Sequence, residues 1–142
     1  MQFMYLPTLR ALLALNTPTP DAAGAIQALQ TASRYDLALG RVGLIGRFGG
    51  LYPIYVRGLA YVAAHQYAEA TAEFQRIIDH RSIVLVDPMA AMARLQLARA
   101  LARSGDTVKA KSAYTDLLTL WKNADPEIPV LREARAEYAR LQ

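Results

Sequence analysis

The sequence predicts an all-α chain, folded as one domain and built as a short array of helix hairpins. Three observations carry that expectation. Ala and Leu supply 26 and 20 of the 142 residues. Both are strong helix formers, and the β-branched residues that favour strands are sparse by comparison. Apolar residues in the second half recur three, four or seven apart, the period of one helix face. Finally, a set of small and aromatic residues returns after 40 positions, and a fixed period of that length marks stacked supersecondary units. The length suits a single domain of ~100–150 residues with a core of its own.

Taken in order, residues 6–35 read as a degenerate hairpin. Residues 39–51 hold Gly40, Gly43, Gly46, Gly49 and Gly50, five of the eight glycines. That is too many for a stable helix, so the segment reads as a connector. A phosphate-cradling loop is disfavoured there, because no Gly-Lys-Ser/Thr follows and the spacing is not G-x-G-x-x-G. From 52 to 80 the apolar positions are Ile54, Tyr61, Val62, Ala70, Phe74, Ile77 and Ile78, interrupted at His65-Gln66-Tyr67. This predicts helices over 52–65 and 67–80. Residues 81–86 form the next connector. Asp87-Pro88 supplies an N-cap with Pro in the first turn, opening a helix over 88–103. Ser104-Gly105-Asp106 stops it, with Gly in the left-handed position and Asp106 or Thr107 capping a helix over 107–122. Asp125-Pro126 and Pro129 break the chain again. The last helix, 127–141, places Leu131, Ala134, Tyr138 and Leu141 on one face.

The hairpins overlay. Gly58 and Tyr61 align with Ala98 and Leu101, Ala70 with Ala110, Phe74 with Tyr114, and Ile77 with Leu117, each pair 40 apart. The first segment joins weakly: Asp21 to Ala25 align with Asp106 to Ala110, and Leu29 takes the place of Phe74. Small residues at 58, 70, 98 and 110 are expected where helices approach closely, with aromatics filling the space beside them. One hairpin cannot bury its apolar face alone, so stacking is the expected solution.

Composition excludes several functions. With no cysteine there is no disulfide scaffold, thiolate metal site or Cys nucleophile. The net charge of +4 is mildly basic and lacks the dense Lys/Arg stripe of a nucleic-acid binder. The longest stretch without a charged residue, 22–33, is 12 residues, against ~18 for a membrane span. The first 15 residues have a short apolar run, but no basic region precedes it and Pro7 and Arg10 interrupt it, so no signal peptide is expected. His65 and His80 stand 15 apart with no metal-ligand spacing, and His80 reads as a carbonyl partner at a helix end. Asp125 and Glu127 flank a proline turn and read as capping groups. No catalytic residues, metal ligands or cofactors are expected.

At the spacing of Gly58, Tyr61, Ala70 and Phe74, and again of Ala98, Leu101, Ala110 and Tyr114, the chain resembles the tetratricopeptide repeat (TPR) family. The resemblance covers 52–122 well and 6–35 weakly. It implies a right-handed superhelix of about seven helices with a C-terminal capping helix. Arg57 departs from the pattern by occupying an ordinarily apolar position, and the period exceeds the family's ~34. The segments 55–88 and 95–131 further resemble the C-terminal TPR region of acidobacterial serine/threonine kinase or winged-helix regulator fusion proteins, although no kinase motif is present. The resemblance implies a non-catalytic protein-interaction module of a larger bacterial signalling protein, cytoplasmic, or extracytoplasmic if that parent is membrane-anchored. By the same resemblance a concave groove is lined by Tyr52, Tyr55, Leu59 and Val62, by Met92, Leu95, Arg99 and Arg103, and by Arg10 of the degenerate repeat. Aromatics and Arg are favoured at interaction hot spots. The expected partner is a protein or peptide with acidic character. The alternatives for these residues are ordinary core for Tyr52, Tyr55 and Leu95 and a solvated face for Arg99 and Arg103. The positions that clamp a terminal carboxylate in chaperone-binding relatives hold Tyr55, Leu59, Leu95 and Arg99, which disfavours that specialised role. The rival function is self-association through the exposed ends of the array.

Overall fold

A computed structural model describes residues 4–37, 50–80 and 88–142. Within them the chain is all-helical: α1 (Tyr5–Leu15), α2 (Ala22–Gln30), a 3-10 turn (Ser33–Tyr35), α3 (Leu51–Ala63), α4 (Tyr67–Asp79), α5 (Met89–Arg103), α6 (Thr107–Leu120) and α7 (Pro129–Ala139). The expected Gly-rich connector lies outside the described residues except for Gly50 and Leu51, the latter opening α3, and so does the expected connector 81–86 with the Asp87 cap. The last helix begins at Pro129 instead of 127. The Asp125 carboxylate accepts from the Glu127 N–H at 2.9 Å, which folds the chain into a turn just before α7. Pro129 then takes the first helical position, where its missing N–H costs nothing.

The helix ends follow one design. At the end of α3 the His65 N–H donates to the Val62 carbonyl and the Gln66 N–H to that of Tyr61. At the end of α5 the Gly105 N–H donates to Ala102 and the Asp106 N–H to Leu101. Both are Schellman closures, which satisfy the carbonyls that a helix end leaves without partners. They require a left-handed residue, supplied by Gly105 at φ 86° and, 40 positions earlier, by His65 at φ 58°. The helices that follow α1 and α5 begin alike: Asp21 accepts from the Gly24 N–H at 2.8 Å and Asp106 from the Lys109 N–H at 3.1 Å.

α1 packs on α2, α3 on α4, and α5 on α6, so the helices pair as three hairpins, and α2 and α4 bridge to α3 and α5. α7 closes the far end against α6. The buried Ala134 and the half-buried Tyr138 and Leu141 pack on Tyr114 and its neighbours, and Leu131 is buried as well. Equivalent positions are buried in every hairpin: Ala25, Ala70 and Ala110; Leu29, Phe74 and Tyr114; Ala32, Ile77 and Leu117. The first helices repeat a small buried residue at Ala11, Gly58 and Ala98. Gly58 is there for contact. A Cβ on it would stand 2.5 Å from a ring carbon of Phe74.

Arg57 is buried without becoming apolar. Its side chain is 5% exposed and donates to Asp36 at 2.6 Å and to Glu73 at 2.7 Å. Asp36, 2% exposed, also receives Arg76 at 2.8 Å. Burial works against the Arg57 charge, but its hydrogen bonds to Glu73 and Asp36 outweigh that and raise its pKa. Two cations and two carboxylates thus neutralise one another between the first and second hairpins. Nearby, the Leu37 N–H donates to the Gly50 carbonyl at 3.3 Å, so the two edges of the expected glycine connector meet.

Candidate functional site

The C-terminal ends of α1 and α3, with Arg103 at the end of α5, border an open cavity of about 440 Å³, within the ~300–1,000 Å³ range of ligand sites. Its apolar wall is Leu12 and Leu15 from α1 and Leu59, Val62 and Ala63 from α3. Its polar edge is Asn16, His65, Tyr67 and Arg103. These residues are register mates. Taking Ala11, Gly58 and Ala98 as equivalent, Leu12 corresponds to Leu59, Leu15 to Val62, and Asn16 to Ala63 and Arg103. The hairpin architecture therefore lays successive rows of equivalent side chains along one surface.

Each edge group has a local reason for its position. The Asn16 amide donates to the Leu12 carbonyl at 2.9 Å, closing the end of α1. His65 meets the Tyr67 hydroxyl through Nδ1 at 2.9 Å, with the rings edge to face. Left-handed backbone at a residue with a Cβ costs ~1–3 kcal/mol and tends to persist where function holds it. Arg103 forms no ion pair among the described residues and is exposed at the last turn of α5.

Arg103 also borders a second, 290 Å³ cavity with Arg99, Tyr114, Glu137 and Arg140. There Arg99, Tyr114 and Glu137 are committed to one another. Arg99 reaches Glu137 at 2.6 Å and Glu133 at 2.8 Å, and Tyr114 donates to Glu137 at 2.7 Å. Burial alone would raise the Glu137 pKa, but hydrogen bonds from Arg99 and Tyr114 prevail and lower it. The Tyr114 phenol is pushed up by burial and by the Glu137 carboxylate it serves. This cluster fastens α7 to α5 and α6.

Of the eight groove residues expected from sequence, the first cavity brings together Leu59, Val62 and Arg103. Leu95 is 1% exposed and belongs to the core around Tyr114, because α6 and α7 cover its side of α5. Arg99 is held in the ion cluster just described. Tyr55 is half-buried, tilted against Phe74 at 5.8 Å between centroids. Burial raises its pKa, with the Gln96 hydrogen bond and the Arg99 charge pulling the other way. Met92 is half-buried, while Tyr52 and Arg10 are exposed, and none of the three lines either cavity.

Sequence reasoning missed Leu12 and Leu15. The alignment rested on Asp21, which sets α2 at 45 positions from α4. The turn before it, residues 16–21, is longer than 64–66, so α1 stands 47 positions from α3. A separate register for α1, anchored on Ala11, finds both.

Among the described residues no three His, Cys, Asp or Glu side chains group to hold a metal ion. No described helix is long and apolar enough to cross a membrane. Comparison with known proteins finds no matching family model, no matching curated protein and no matching solved structure.

Proposed function

We propose that the chain is a TPR-like, non-catalytic interaction module. It binds a peptide or protein segment along the surface shared by α1, α3 and α5, which we read as the inner side of a right-handed superhelix. The observation that carries this reading is the convergence of register-equivalent residues from three successive first helices on one apolar cavity. The two matched Schellman closures and the repeated small residue at 11, 58 and 98 support the repeat assignment. The resemblance of 55–88 and 95–131 to bacterial regulator fusions supports a place in a larger signalling protein. The cavity accepts one bulky apolar anchor, and Arg103 meets an acidic neighbour of that anchor. Burying the anchor contributes ~1.5–3 kcal/mol and an exposed ion pair only ~0.2–1 kcal/mol, so the apolar wall dominates affinity.

Selection of peptides from a random display library against the whole chain tests this. Recovered peptides should share a bulky apolar residue beside Asp or Glu. Val62→Asp should weaken their binding at least ~10-fold, Arg103→Glu severalfold, in line with those two contributions. Val108→Asp, on the exposed start of α6, should leave it unchanged. Peptides that bind wild type, Val62→Asp and Arg103→Glu alike would overturn the reading, provided circular dichroism shows all three folded.

A further inference from the structure

α1, YLPTLRALLAL, is apolar on two opposite sides and carries a single charge, Arg10. Thr8 and Ala11 face inward and are buried. On the other side Tyr5 is 46%, Leu6 44%, Leu9 55% and Leu13 71% exposed. These are four of the seven exposed large apolar side chains among the described residues. A helix that is apolar all round is ordinarily covered all round.

The hairpin register identifies this outer face. With Ala11, Gly58 and Ala98 equivalent, Leu6 corresponds to Pro53 and Ala93, and Leu13 to Ala60 and Ala100. All four of those later positions are buried. α3 and α5 carry them beneath α2 and α4, the preceding helices of the array. At Leu6 and Leu13 the face of α1 is therefore the one that each later hairpin covers with a helix.

The spacing of Leu6, Leu9 and Leu13, three then four, is that of a two-helix seam and is its own complement. At the opposite end α7 exposes Arg132 and Arg135, so head-to-tail stacking would lay leucines on charges. We propose that two copies pair through α1 about a two-fold axis. That contact is isologous and closes at a dimer. The stripe offers on the order of 400 Å² per copy, about 800 Å² in all and below the ~1,200–2,000 Å² of a stable interface, so the dimer is a transient one that forms at high protein concentration and dissociates on dilution.

Light scattering on the whole chain, from low micromolar to near-millimolar, should show the mass rising from 15.6 kDa to twice that value and no further. Leu9→Asp and, independently, Leu13→Lys should hold the monomer mass at the highest concentration. The absence of cysteine gives a second readout. Leu9 is the centre of the stripe and meets its own mate in either helix direction. Leu9→Cys should therefore cross-link to a dimer on mild oxidation, whereas Val108→Cys, equally accessible on α6, should not. A wild-type monomer at every concentration, a dimer insensitive to both α1 substitutions, or a mass climbing past two copies would each overturn the proposal.

Discussion

Gly58→Ala isolates the contact that sets the spacing of the second hairpin. By helix propensity alone the change should stabilise the middle of α3 by up to ~1 kcal/mol. The structure opposes this. The new Cβ would lie 2.5, 2.7 and 3.0 Å from three carbons of the Phe74 ring, where carbon atoms rest at ~3.5–4.0 Å. The ring must recede by about 1 Å, yet Phe74 is fully buried, with Tyr55 tilted against it and Leu51, Ile54, Ala70 and Ile77 in the same cluster. Overpacking of this kind costs ~1–3 kcal/mol, so a net loss of roughly 0.5–2 kcal/mol is expected after the propensity gain. The decisive assay is a double-mutant cycle with Phe74→Leu, read by urea unfolding. With the smaller side chain the clash disappears, and Gly58→Ala should become neutral or stabilising. If the substitution stabilises the wild-type background, or has the same effect in both, the glycine is not there for the ring.

Arg57→Ala should cost ~3–5 kcal/mol, because it strands the buried Asp36 and Glu73 carboxylates; a loss below ~1 kcal/mol in chemical denaturation would show that Arg76 and solvent suffice. His65→Gly should stabilise the fold by ~0.5–1 kcal/mol, the relief of left-handed strain exceeding the added chain entropy, while weakening peptide capture; a lowered melting temperature would contradict the strain. Glu137 titrates below its ordinary 4.5 in the folded state, so its contribution is complete above that value and is lost as pH falls through the lowered folded pKa. Glu137→Gln should therefore be less stable than wild type at neutral pH, with the gap narrowing on acidification below 4.5; a gap that widens there would reverse the assignment.

The helical class and the helix ends were legible because caps, prolines and glycines act locally. Gly105 and Asp106 needed only their neighbours to announce a stop and a start. The buried status of Ala70, Ala110, Phe74 and Tyr114 was legible because repetition makes one hairpin a template for the next. What escaped depended on partners distant in sequence. Arg57 stood out as an ill-fitting residue, but its answer lies at Asp36, Glu73 and Arg76, and no spacing rule links 36 to 57. Arg99 looked like an available cation until α7, 38 positions later, supplied Glu137. Leu12 and Leu15 were hidden by a longer turn.

Repeat arrays are often treated as interchangeable bricks, each stabilised by its own sequence and its nearest neighbours. The Asp36 cluster removes that freedom here. Its carboxylate belongs to the segment leaving the first hairpin, while its two guanidinium partners belong to the second. Duplicating, deleting or swapping either hairpin would leave an ionised side chain buried without its counter-charge. The first two hairpins are thereby bound to unfold together and to be inherited together. Engineering that adds or exchanges repeats should keep these two together.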